Sequence, residues 1–156
     1  GLQVFDNHAV PKATSLLVQS ERSCIHYLRR LQKQTLQWSV PVLLLLFVLA
    51  EPLLVIVGGA SYAAYGYAVQ GLSFLYLLIF MGYPIRIAIR SLLMNRAFFQ
   101  AYAFSFLFTL LLAPYLIRYW QLHGVIAALL LNQLLVYGFW HWCLQRKAFY
   151  LWKSFT

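Results

Sequence analysis

Charge is almost absent from three long stretches of this chain, and basic residues fill the alternate gaps between them. Gln34–Ile85 holds one formal charge, Glu51, while Ala97–Ile117 and Tyr119–Gln145 hold none. A helix needs roughly 20 mostly apolar residues to cross a bilayer. The first stretch has 52 residues and reads as two spans, broken at Gly58-Gly59-Ala60-Ser61; each later stretch reads as one. The expected fold class is all-α, an integral membrane helical bundle. Its four transmembrane helices fall at about 38–57, 67–85, 97–117 and 125–144, as two antiparallel hairpins.

The gaps set the orientation. With the N-terminus inside, Lys12, Arg22, Arg29, Arg30, Lys33, Arg86, Arg90, Arg96, Arg146, Lys147 and Lys153 all lie on the inner face, and Arg118 alone lies outside. Cytoplasmic loops retain Lys and Arg, so this asymmetry predicts both ends of the segment in the cytoplasm. The 63% hydrophobic content demands lipid as the main solvent, since a soluble domain of 156 residues could not cover that much apolar surface. The net charge of +9 then follows from membrane topology, and no basic soluble domain is present to bind nucleic acid.

The flanks carry less. Residues 1–18 are semi-apolar, expected as the end of a preceding span or an interfacial segment. Residues 19–37 are polar and basic, with Ser20 placed to cap a short helix and Ile25, Leu28 and Leu31 on one stripe. That pattern suits a helix lying at the inner headgroups. Together 1–37 form the N-terminal part, and 146–156 a basic cytoplasmic tail. Trp38, Trp140 and Trp142 are interfacial anchors. Pro41 is expected in the first turn of the first span, and Pro84 to kink or end the second. The chain opens at Gly1 without a signal-like segment, and the expectation is a fragment of a longer membrane protein.

Several weak motifs occur in order: Ala50-Glu51-Pro52-Leu53-Leu54, a glycine turn at Gly58, Ser61-Tyr62-Ala63-Ala64, then Ala113-Pro114-Tyr115, and His123-Gly124-Val125-Ile126-Ala127-Ala128. This order resembles the C-terminal part of bacterial oligosaccharide flippases, of the multidrug/oligosaccharidyl-lipid/polysaccharide exporter superfamily. The likeness covers most of 10–145. A second glycine usual in the last junction is replaced by Ile126 or Ala127. The resemblance implies a multi-pass protein of the bacterial inner membrane whose remaining helices lie outside this chain. It implies a polyprenyl-pyrophosphate-linked oligosaccharide as substrate, moved by alternating access, and no cofactor or enzymatic chemistry.

Within that frame a few residues stand out. Arg86 and Arg90 are four apart and share a helical face, so they could hold a pyrophosphate bidentately. The plainer reading is that they snorkel to headgroups and enforce topology, as Arg96 does. Glu51 is the one acid inside a span, a candidate ion-coupling site; otherwise it is solvated near the outer interface. Pro52 should free the Val48 carbonyl. Asn132 and Gln133 are expected to hydrogen-bond a neighbouring helix. Ser73, Ser105 and Thr109 should bond back to their own helix. His141 and Cys143 point about 200° apart on a helix and make no metal site. Cys24 and Cys143 are expected as reduced thiols. Rival functions are a multidrug cation antiporter of the same superfamily, which should carry more intramembrane acids, a four-span scaffold, and a membrane enzyme, for which no His–acid constellation exists.

Overall fold

A computed structural model describes residues 2–147, 149 and 151, with side chains from His8 onward. The described residues are helical and contain no strand. In chain order they form α1 (Leu2–Gln19), α2 (Glu21–Val48), α3 (Ala50–Gly58), a 3-10 segment (Ala60–Tyr65), α4 (Gly66–Met81), α5 (Tyr83–Ser91) and α6 (Asn95–Arg146).

By length and composition two helical stretches can cross a membrane, Ala60–Ser91 and Asn95–Arg146, and the bent pair α2–α3 would make a third. The 52 residues of α6 do not run straight. Gln121 has φ 46° and ψ −124°, outside helical values. A straight helix would place Phe98 and Trp140 about 60 Å apart, yet their rings stack at 5.3 Å. Phe104 meets Phe139 at 5.8 Å in the same antiparallel register. So α6 is a hairpin of two arms, folded over the short turn expected at Arg118–Gly124.

The first hairpin is α2–α3 against α4. Gln70 Nε2 donates to the Phe47 carbonyl at 3.5 Å, and Gln32 Nε2 to the Met81 carbonyl at 3.3 Å. This fixes an antiparallel register across the pair. Its turn is built as expected: α3 ends at Gly58, and Gly59 takes φ +90°, where only glycine sits without strain. The second arm of α6 then runs parallel to α4. Tyr67 stacks on His123 at 4.2 Å near both turns, and Tyr137 meets Ile79 towards the other end. Both hairpin turns therefore lie at one end of the bundle.

That geometry sorts the charges. Of the twelve Lys and Arg residues, Lys153 lies outside the described residues and Arg118 lies in the turn of α6; the other ten sit at the opposite end, on α1, the start of α2, α5 and the two termini of α6. The buried core collects there too. Ile25, Leu28, Ile87, Ile89, Trp140 and Leu144 are all at most 1% exposed. Towards the turns the apolar side chains instead face outward, among them Leu44, Leu45, Phe106, Leu110 and Leu111. Water drives apolar groups together, whereas lipid tails give helices no such push. A packed core at the polar end and a bare apolar middle follow from that difference.

Three expectations need correction. The basic segment 19–37 is not a separate surface helix, because α2 runs unbroken from Glu21 to Val48 through Trp38 and Pro41. Nothing in that stretch breaks a helix, since a change of surroundings at the headgroups requires no change of backbone. Pro41 therefore lies in a helix interior rather than a first turn. The break falls later, at Leu49, where α2 and α3 meet at 66°. Pro52 has no N–H for the Val48 carbonyl, and the helix ends at that residue. Lastly, Ser20 occupies the N-cap position of α2 but makes no side-chain cap.

The C-terminal tail is only partly described. Phe149 and Leu151 are buried in the same core, and Arg29 Nε donates to the Leu151 carbonyl. Leu151 thus lies against α2.

Candidate functional site

The basic end is organised around a second helix break. Pro84 stands in the first turn of α5 and cannot donate to the carbonyl four residues back, so α4 stops at Met81. Its last carbonyls would cost free energy if left unpaired in an apolar setting. Two are satisfied from outside the helix: Tyr137 Oη donates to Ile79 at 3.1 Å and Gln32 Nε2 reaches Met81, while the Gly82 N–H closes the helix's own last turn on Leu78 at 2.9 Å. Tyr137 lies flat against Gly82, where a β-carbon would stand 2.2 Å from the ring. Gln133 hydrogen-bonds Tyr137 in turn. The inter-helix bond expected of Asn132 and Gln133 is thus made by Tyr137, one turn on. The Asn132 Oδ1 atom is buried without a hydrogen-bond partner.

This break aims α5 into the core. Tyr83, Pro84, Ile85, Ile87, Ala88, Ile89 and Ser91 are buried, which leaves Arg86 half-buried and Arg90 exposed. Arg86 is close enough to Tyr137 for electrostatic contact, and Arg90 lies over the Phe98 ring at 5.6 Å. Both arginines therefore face the arms of α6. There Trp140 is surrounded by Phe98 at 5.3 Å, Tyr102 at 5.7 Å and Tyr137 at 5.8 Å. Trp140 is 1% exposed, and its indole N–H is buried with no hydrogen-bond partner. Arg86 and Arg90, four residues apart on α5, thus stand beside one aromatic cluster of Phe98, Tyr102, Tyr137 and Trp140. The two guanidinium groups suit an anion, since each offers positive charge and hydrogen bonds to an oxygen.

Glu51 stands elsewhere. It lies in the first turn of α3, exposed, with its Cγ where a β-carbon on Gly66 would come within 2.5 Å. From Gly66 to Arg86 is 20 residues, or about 30 Å of helix. The carboxylate therefore shares no site with the arginine pair. It neighbours the α2–α3 break, where Gln70 covers the Phe47 carbonyl. Gln70 and Tyr137 both act beside a proline break, on Phe47 and Ile79, each one residue before the carbonyl (Val48 or Phe80) that Pro52 or Pro84 deprives of its usual partner, so the prolines mark the neighbourhood in the sequence. Which side chain would answer depends on the register between helices.

The remaining expectations are mixed in kind. Ser73 Oγ donates to Val69 and Thr109 Oγ1 to Ser105, both at 2.8 Å, as back-bonding requires. His141 meets Gln145 at 3.0 Å, and Cys143 is buried. Among the described residues no three His, Cys, Asp or Glu side chains gather as metal ligands would. Compared with protein-family models, curated proteins and solved structures, the chain matches none.

Proposed function

We propose that this chain is the four-span segment of a membrane transporter that flips a polyprenyl-pyrophosphate-linked oligosaccharide across the bacterial inner membrane by alternating access. The arms of α6 make two crossings, α2–α3 and α4–α5 the other two, and the basic end faces the cytoplasm. Arg86 and Arg90 receive the pyrophosphate, and Glu51 couples transport to an ion.

The observation that carries this reading is the placing of Arg90 over Phe98 and of Arg86 beside Tyr137, two rings that both pack on Trp140 at the basic end. Two helices broken within apolar segments, at Leu49 and Gly82, add to it, because discontinuous helices recur where transporters bind substrate or ions. An exposed carboxylate between apolar residues is costly against lipid, so the face of α3 that bears Glu51 belongs against water or further protein. Towards its turn α6 is largely bare, with Leu110, Leu111 and Leu112 exposed, which leaves room there for further helices of a larger transporter.

The test is Arg86→Gln with Arg90→Gln in the full-length protein, scored by surface glycan export. Loss of export with normal membrane insertion is expected. Normal insertion with undiminished export rejects the substrate role.

A further inference from the structure

The outward face of α6 carries two open apolar grooves that share one ridge. Leu135, Phe139 and Trp142 form the ridge. On one side the groove is completed by Leu131, Leu134 and Gly138, with a volume of about 440 Å³. On the other it is completed from the facing arm by Ala101, Phe104, Ser105 and Phe108, with about 530 Å³. Gly138 opens the first groove, since nothing lies within 4 Å of where its β-carbon would be.

Both grooves reach Trp142, and there the chemistry changes. The Arg146 guanidinium lies over the Trp142 indole, 3.8 Å from the ring centroid. Lys147 follows it, exposed. The antiparallel register of the hairpin sets Arg96 level with Arg146. From Leu131 to Trp142 is 11 residues, about 16 Å of helix, comparable to most of an acyl chain. Trp at this level is the usual marker of the membrane–water interface. The stack on Trp142 holds the guanidinium over the mouth of the grooves, at lower entropic cost than a free side chain.

We propose that this face binds one anionic diacyl phospholipid. Its two chains straddle the Leu135–Phe139–Trp142 ridge, and its phosphate rests on Arg146 with Lys147 beside it. Charge complementarity selects the occupant: a neutral partner helix would leave these cations without a counter-charge, and a soluble phosphate would leave the grooves unused. The site rests on membrane residence but not on the flippase reading, because it lies on the opposite flank of the aromatic cluster from α5.

The full chain is purified in detergent, equilibrated with equal amounts of phosphatidylglycerol and phosphatidylcholine, and the retained lipid counted by native mass spectrometry. Preferential retention of phosphatidylglycerol is expected. Arg146→Gln should weaken that preference about fivefold, the worth of one charge near a lipid surface, while Arg118→Gln at the far end leaves it unchanged. Gly138→Leu, whose β-carbon would meet nothing within 4 Å, puts side-chain bulk into one groove and should reduce retention of both lipids. Equal retention of the two lipids, or an Arg146→Gln variant that binds like the parent, overturns the proposal. Failure of the parent chain to float with vesicles of either lipid defeats the membrane reading itself; flotation with equal lipid retention defeats only this site.

Discussion

A β-carbon on Gly124 would sit 2.0 Å from the carbonyl oxygen of Leu116. The two residues face each other across the turn of α6, where Gln121 supplies the reversal with φ 46°. Neither partner can retreat cheaply, because the obstructing atom is backbone. Gly124→Ala should therefore destabilise the hairpin by about 1–3 kcal/mol, the usual range for overpacking. Thermal unfolding in detergent would register this as a lower midpoint. Gly138→Ala, in open space on the same arm, is the matched control and should shift the midpoint little. A Gly124→Ala protein as stable as its parent would mean that the arms do not approach this closely.

Tyr137 ties the second arm of α6 to the end of α4 through its hydroxyl bond to Ile79. Tyr137→Phe keeps the ring against Gly82 and removes only that bond. The expected loss is about 0.5–1.5 kcal/mol, with more if the Ile79 carbonyl is left dry. Because α5 begins just beyond the same break, the substitution should also loosen α5. Hydrogen exchange at Ile87–Ser91 should quicken in the variant, and unchanged exchange there would dissociate Tyr137 from the placing of Arg86.

Cys24 is fully buried in the core at the basic end. Burial, with Glu21 adding to it, pushes its thiol from 9.0 up to about 11. The sign follows directly. The folded protein holds the neutral thiol more firmly than the unfolded chain does, so this contribution to stability is complete below pH 9.0 and is lost as pH climbs through about 11. In a Cys143→Ser background, alkylation of Cys24 at pH 8 should be at least about a hundredfold slower than that of a small thiol of ordinary pKa, because so little thiolate is present. A rate equal to that of the free thiol would place Cys24 outside the core.

Much of the scaffold was legible because its marks are local. Gly58-Gly59 and the Arg118–Gly124 turn announce chain reversals, and charge-free runs announce apolar helices. Pro52 announces the orphaned Val48 carbonyl without any knowledge of the fold. The packed core was not legible. Ile25, Ile87 and Trp140 meet only when α2, α5 and α6 are brought to one end, and no local pattern sets that register. The same applies to the site. The four-residue spacing of Arg86 and Arg90 puts them on one face, and Phe98 follows Arg90 by only eight residues, but the approach of Arg86 to Tyr137 depends on how α4 and α5 align with a residue 51 positions away. The unbroken α2 was missed for a different reason. A boundary between headgroups and hydrocarbon was read as a boundary in the backbone, and a helix can cross the first without the second.

The bend at Leu49 should depend on Pro52 alone. Pro52→Ala restores a donor for the Val48 carbonyl and removes the ring clash, so α2 and α3 can join as one helix. With spin labels at Val40 and Val57 in a cysteine-free background, the backbone separation expected for the 66° bend is about 21 Å, against about 26 Å for a straight helix. Double electron–electron resonance should show the longer distance in the variant. Straightening would also carry Glu51 away from Gly66 and remove Gln70 from the Phe47 carbonyl, since both contacts depend on the direction α3 takes. An unchanged distance would transfer the cause of the bend from Pro52 to the packing of α3 on the Ala60–Tyr65 segment, and Gln70→Ala, which leaves that packing intact, should then leave the distance at its bent value as well.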